Sequence, residues 1–184
     1  MINKKKFAEI RKEMKEFEKK REETIQLSRT IIKLSKRIIY SVHRREMNTA
    51  KRLVAQILAG MKKMPSKKYD LGIDAVAAQE FVEALCFYHY VNDKKLPTRK
   101  DLKVNSESYL LGLCDLTGEM VRLAVNESIR GNSKATFEIK DFVTEIYGEF
   151  LKFDLRNGEL RKKSDSIKWN LRKLEDLALK ISNV

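Results

Sequence analysis

Cysteine is almost missing from this sequence, which holds only Cys86 and Cys114 in 184 residues. Two are too few for a disulfide framework, and neither has the spacing of a zinc finger. A reducing setting is expected, and the cytoplasm in particular. Proline (2) and glycine (7) are scarce as well. That argues against an all-β sandwich, which needs frequent turns, and against a low-complexity chain. No long uncharged apolar run exists. The least charged stretch, residues 73–92, still carries three acids, so no membrane span is expected. Residues 1–6 are basic but lack the apolar core of a signal peptide.

Apolar residues make up 42% of the chain, too many for general disorder. The length fits one domain over residues 1–184, large enough to bury a core without metals or disulfides. Nothing between Lys4 and Arg44 breaks a helix. Phe7, Ile10, Met14, Phe17, Ile31, Ile38 and Val42 share one three-to-four spacing, with Thr24, Ser28 and Ser35 in the intervening slots. This predicts one long amphipathic helix of about 60 Å, whose far end projects or packs on a partner.

Further helices are expected over about 47–63, 72–91, 106–129, 136–153 and 159–181, with a short turn or helix at 99–103. On the second, Leu53, Val54, Ile57, Leu58 and Met61 should point inward. Pro65, Pro97, Gly131 and Gly158 mark the breaks, and Ser106 or Ser108 is expected to cap the fifth element. The loops are short, so the helices should pack as antiparallel neighbours. The fold class is therefore all-α, with about seven helices.

Charge is lopsided: 39 Lys and Arg against 26 Asp and Glu give +13. Residues 33–52 hold seven bases (Lys33, Lys36, Arg37, Arg44, Arg45, Lys51, Arg52) against one acid, Glu46. Such a run is either a solvated helix face or a phosphate-binding surface. Lys36, Arg37, Arg44 and Arg45 are the candidate phosphate contacts. His43 either joins them or is an exposed helix-end histidine. No base-reading motif is present, so any nucleic acid would be recognised by shape and charge.

The acids show the inverse pattern. Residues 73–92 contain only Asp74, Glu80 and Glu83 among charged groups, and residues 108–124 only Asp115, Glu119 and Arg122. Both stretches otherwise read as core: Val76, Phe81, Val82, Leu85, Cys86 and Phe87 in one; Leu110, Leu111, Leu113, Leu116, Met120 and Val121 in the other. These should be the two most buried helices. Glu80 and Glu83 are i,i+3 neighbours and Asp115 and Glu119 are i,i+4 neighbours, so each pair lies on one helix face. Gly112 and Gly118 leave room for a close helix approach. Carboxylates in apolar surroundings need a partner, a proton or a metal. One possibility is salt bridging to Arg122 and to bases of other helices. The other is a hard cation, Mg²⁺ or Mn²⁺, which takes oxygen ligands and substrate phosphates together. A di-iron site is disfavoured, because position 83 is Glu where a Glu-x-x-His motif needs His, and His89 falls on the opposite face.

Gln79, Glu80, Phe81, Val82, Glu83 and Ala84, together with residues 109–119, resemble the hallmark segments of the translin family in its TRAX branch. Leu27, Ser28 and Arg29, then Ser35, Lys36 and Arg37, then His43 and Arg44 resemble its first helix. Residues 157–168 are closer to translin proper. The resemblance covers nearly the whole chain. It implies a seven-helix, α-solenoid-like bundle and assembly into octameric shells, as a homo-oligomer or with a translin-like second subunit. It also implies a Mg²⁺-dependent endoribonuclease in which Glu80, Glu83, Asp115 and Glu119 are catalytic. Translin proper lacks this acidic set and mainly binds nucleic acid, so the acids place the chain on the TRAX side.

Two function classes compete. One is a metal-dependent nuclease of RNA, single-stranded or with single-stranded regions, with DNA as a further ligand. The other is a non-catalytic nucleic-acid-binding or scaffold protein whose acids are locked in salt bridges. The remaining signals are structural. Cys86 and Cys114 should be buried small apolar residues, Thr117 should bond back along its helix, His89 should be structural, and Trp169 and Tyr147 should be core or interface.

Overall fold

The computed structural model describes residues 2–65, 69 and 72–182. Seven helices are present among them and no strand: α1 (Lys4–His43), α2 (Met47–Met61), α3 (Ile73–Asp93), α4 (Arg99–Leu102), α5 (Ser106–Ile129), α6 (Ser133–Phe150) and α7 (Glu159–Ser182). The long helices pack in series, α1 on α3, α3 on α5 and α5 on α7. Helix α2 folds back on α1, and α6 wedges against α5 and α7. This is the all-α, solenoid-like arrangement expected. No helix among the described residues is long and apolar enough to cross a membrane.

Helices α3 and α5 are the innermost. Every residue from Phe81 to Tyr88 is buried, because α3 is covered by helices on several sides and needs no polar face. Phe81, Phe87, Leu85, Leu116, Met120 and Ile139 are almost completely enclosed, and each such side chain contributes about 1.5–3 kcal/mol by leaving water. Gly112 sets the α3–α5 distance. A Cβ there would lie 2.6 Å from Val82 Cβ and 2.8 Å from the Gln79 carbonyl oxygen. Only glycine allows this approach. At Gly118 the nearest atom is an ordinary 3.8 Å away.

Several boundaries differ from expectation because asparagines take the caps. The Asn105 side chain accepts a hydrogen bond from the Ser108 amide at 2.8 Å, so Asn105 begins α5 in place of the serines. Asn132 accepts from the Ala135 amide, which starts α6 at Ser133 and leaves Thr136 inside the helix, its hydroxyl donating to the Ala124 carbonyl. Leu58 is exposed, since the buried stripe of α2 runs through Ala50, Leu53, Val54 and Ile57 and position 58 lies one step beyond it. Val76 is exposed in the first turn of α3, while Ala77 beside it is fully buried. Trp169 is exposed and therefore not core; Tyr147 packs at the core's edge. Phe7, Ile10 and Met14 are also exposed, and the outer part of α1 projects.

Candidate metal and nucleic-acid site

The structure brings Glu80, Glu83 and Glu119 into one cleft of about 360 Å³, walled by Lys36, Ile39, Tyr40 and Arg122. Glu80 and Glu83 come from α3 and Glu119 from α5. Asp115, one turn before Glu119, lies close enough for its charge to act on both Glu80 and Glu83. The two helix faces read from the sequence therefore meet.

The four acids are not equivalent. Glu83 is buried, with 9% of its surface exposed, and has no hydrogen-bond or ion-pair partner among the described residues. Burial, and then the charges of Asp115, Glu119 and Glu80, push its carboxyl up to about 8. Glu80 is half-buried and also raised, chiefly by burial. Lys36 Nζ stands 3.9 Å from its Oε1.

Asp115 and Glu119 have internal partners. Lys163, from the second turn of α7, places Nζ 2.7 Å from both oxygens of Asp115, and Gln79 Nε2 donates to Asp115 Oδ2 as well. His43 Nε2 donates to Glu119 Oε2 at 2.5 Å, and Arg122 lies 3.7 Å from the same oxygen. The local scarcity of bases in α3 and α5 thus does not make the surroundings base-free, because other helices supply the cations. Among the described residues no three His, Cys, Asp or Glu side chains are arranged as a ready metal centre. The donor set nonetheless suits a hard cation: its donors are oxygens, they repel one another, and the Glu83 carboxyl opens into the cleft without a protein partner.

The basic candidates separate. Lys36 and Arg37, with Arg29, Lys33 and the exposed ring of Tyr40, line a groove of about 760 Å³ along α1. Lys36 and Tyr40 also wall the acidic cleft, so groove and cleft lie on either side of the same two side chains. Arg44 is exposed, bonded to Glu46 at 2.6 Å and lying over the Tyr40 ring.

His43 and Arg45 both have partners inside the protein. His43 is buried and is not an exposed helix-end residue. It stacks on Phe87 with ring centroids 4.7 Å apart, and Asn126 Nδ2 faces its Nδ1 at 3.5 Å, which suits the tautomer with hydrogen on Nε2. Arg45, in a left-handed conformation (φ 61°), gives Nη2 to both oxygens of the buried Glu127 at 2.7 and 2.9 Å. Arg130 and Asn132 complete that knot. Burial raises the Glu127 carboxyl, and the bonds from Arg45, Asn132 and Arg130 together outweigh it, holding the group below its usual range.

Sequence reasoning assigned no site role to Gln79, Lys163 or Tyr40. Gln79 adjoins Glu80 and sits on the same helix, so its position was available. Lys163 is one of eight bases in residues 156–180, and nothing local distinguishes it. The structural residues behave as expected. Cys86 and Cys114 are buried free thiols, both pushed up to about 12 chiefly by burial. The Thr117 hydroxyl donates to the Cys114 carbonyl at 2.7 Å. His89 contacts Asp93 on its own helix.

Known proteins with the same pattern agree with this architecture. The Translin family model matches residues 19–182. An uncharacterized protein of Methanocaldococcus jannaschii is 32% identical over 153 residues, covering 79% of this chain and 68% of that protein. Translin-associated protein X of Rattus norvegicus is 25% identical over 227 residues, covering 95% and 77%. Among solved structures, apo-NeC3PO superposes with a TM-score of 0.84 at 28% identity, covering 95% of this chain and 96% of that one. A complex of AfC3PO with duplex RNA gives 0.83 at 25% identity, with 96% of both chains covered.

Proposed function

Because the chain belongs to the translin family, we propose that it is a metal-dependent endoribonuclease working inside an oligomeric shell. One observation carries the reading. The unpartnered carboxyl of the largely buried Glu83 stands with Glu80 and Glu119 in a cleft that shares its Lys36–Tyr40 wall with the basic groove of α1. Glu80, Glu83, Asp115 and Glu119 would hold Mg²⁺, with Mn²⁺ as a substitute, since oxygen donors suit both. A bound divalent ion supplies Lewis acidity and an activated water for phosphodiester hydrolysis.

The protein's own residues divide the remaining work. Lys33, Lys36 and Arg37 neutralise phosphates along the groove, and Tyr40 offers an exposed ring to a base. Lys36, beside Glu80, marks where the strand passes from groove to acids. His43 fixes the orientation of Glu119 from behind. The solved relative bound to duplex RNA supports RNA as the ligand. A groove without base-reading motifs fits RNA with single-stranded regions, and DNA is a comparison ligand in the test. Assembly as an octamer, of this chain alone or with a translin-like subunit, is what the resemblance to the family implies, and the two free thiols agree with a cytoplasmic setting.

The test is incubation with labelled RNA or DNA, with Mg²⁺ or with EDTA, for the wild type and for Glu80→Gln, Glu83→Gln, Asp115→Asn and Glu119→Gln. Cleavage that EDTA stops and each substitution abolishes, with RNA binding retained, is the expected result. A second reading is favoured by Lys163 on Asp115 and His43 on Glu119: a non-catalytic RNA-binding protein whose acids serve only as structural partners. Under it, no condition produces cleavage, and Asp115→Asn and Glu119→Gln lower the melting temperature.

A further inference from the structure

Four carboxylates gathered in one partly enclosed place repel one another, and something must offset that when no divalent ion is bound. The cations near them differ in quality. Lys36 is 3.9 Å from Glu80 with its side chain 67% exposed, and Arg122 is 3.7 Å from Glu119 with its side chain 53% exposed. Both are long, solvated contacts of little strength. His43 offers a hydrogen bond without needing a charge. Lys163 is different. Its ammonium makes two 2.7 Å bonds to one carboxylate, and 29% of its side chain is exposed. Its charge also acts on Glu80 and Glu83, lowering both carboxyls against burial.

We infer that Lys163 is the resident counter-cation of the acidic cluster, that a divalent ion displaces it from Asp115, and that Lys163 therefore sets the metal concentration at which the site loads. The inference rests on the metal site proposed above. With Lys163 and Gln79 in place, Asp115 already accepts three hydrogen bonds. Its two oxygens have roughly four acceptor positions, so a metal could enter only beside an ammonium of like charge. Repulsion at that distance makes the two cations exclusive. Lys163 can leave without disturbing the core, because it sits near the exposed start of α7 beside the exposed Lys162. It reaches the site by its side chain alone.

The test is a Mn²⁺ titration of the full chain, with free Mn²⁺ read by electron paramagnetic resonance. Wild type, Lys163→Gln, Lys163→Met and Lys163→Arg are compared, with helicity checked by circular dichroism. Removing the competing charge should tighten Mn²⁺ binding by about tenfold in the Gln and Met variants, the equivalent of one charge-assisted hydrogen bond released. The Arg variant should stay within about threefold of wild type on the same scale. Equal or weaker binding by both uncharged variants, with the wild type binding normally, overturns the inference and makes Lys163 a support for Asp115; the metal site itself then stands. If neither wild type nor variants take up Mn²⁺ at millimolar concentration, the metal site falls and the inference with it.

Discussion

Glu83→Gln isolates the most unusual group in the protein. Glutamine has the shape of a protonated glutamate but cannot ionise. In the metal-free fold the Glu83 carboxyl is raised from 4.5 to about 8, so between those values the folded chain holds a proton that the unfolded chain has lost. The sign follows from linkage: where the native state binds more protons, stability falls as pH rises. The favourable contribution is complete below about 4.5 and disappears as pH passes 8. At about 1.4 kcal/mol per unit, the gap is worth up to about 5 kcal/mol. Mutual influence among four acids and relaxation of the cleft reduce this to about 2–5 kcal/mol. The assay is urea denaturation in EDTA, followed by circular dichroism, at pH 5 and pH 9. The two proteins should be nearly equal at pH 5, and Glu83→Gln should be the more stable at pH 9 by that amount. Taking the difference between them cancels the titrating groups that do not interact with Glu83, Glu127 included. Stability curves that run parallel from pH 5 to pH 9 would refute the reasoning, because an ionised Glu83 would then cost nothing to bury.

Replacing Lys33, Lys36 or Arg37 by alanine should weaken RNA binding for all sequences and flatten the log-affinity against log-salt slope by about 0.7 for each phosphate no longer neutralised. Arg45→Ala should leave that slope unchanged and lower stability by about 1–3 kcal/mol in urea denaturation, because Glu127 keeps only Arg130 and Asn132. Gly112→Ala should cost about 1–3 kcal/mol or more by forcing α3 from α5, whereas Gly118→Ala should be neutral or stabilising by up to about 1 kcal/mol; equal melting temperatures for the two would show that the helices yield freely.

Much of this was legible in the sequence, for reasons that can be named. Helix α1 shows in its unbroken spacing, and α3 and α5 show in their want of charge. The pairing of Glu80 with Glu83 and of Asp115 with Glu119 follows from helical periodicity, which is local and strong. The close approach at Gly112 follows from its missing side chain. What escaped depends on distant segments. Lys163 meets Asp115 across 48 residues and His43 meets Glu119 across 76, and no local pattern encodes either encounter. Arg45 looked like its neighbour Arg44, yet its left-handed backbone turns it to Glu127. Exposed Leu58 and Val76 missed the core for a similar reason: their helices are apolar enough to hide them, but the packing partners lie elsewhere.

The length of α1 has a consequence for how its outer part holds together. Starting a helix is the unfavourable step, since several residues must be fixed before the first bond forms, while each later residue adds one bond for one residue fixed. From Thr24 to His43 the helix is seated on the core through Ile31, Ser35, Ile38 and Val42, so that first step is already supplied by tertiary packing. The outer turns need only propagate from it, through a run of Lys and Glu that favours helix and contains neither glycine nor proline. The projecting arm is thus an extension grown from a fixed root: it should fray progressively from Lys4 inward, and it has no separate melting transition of its own.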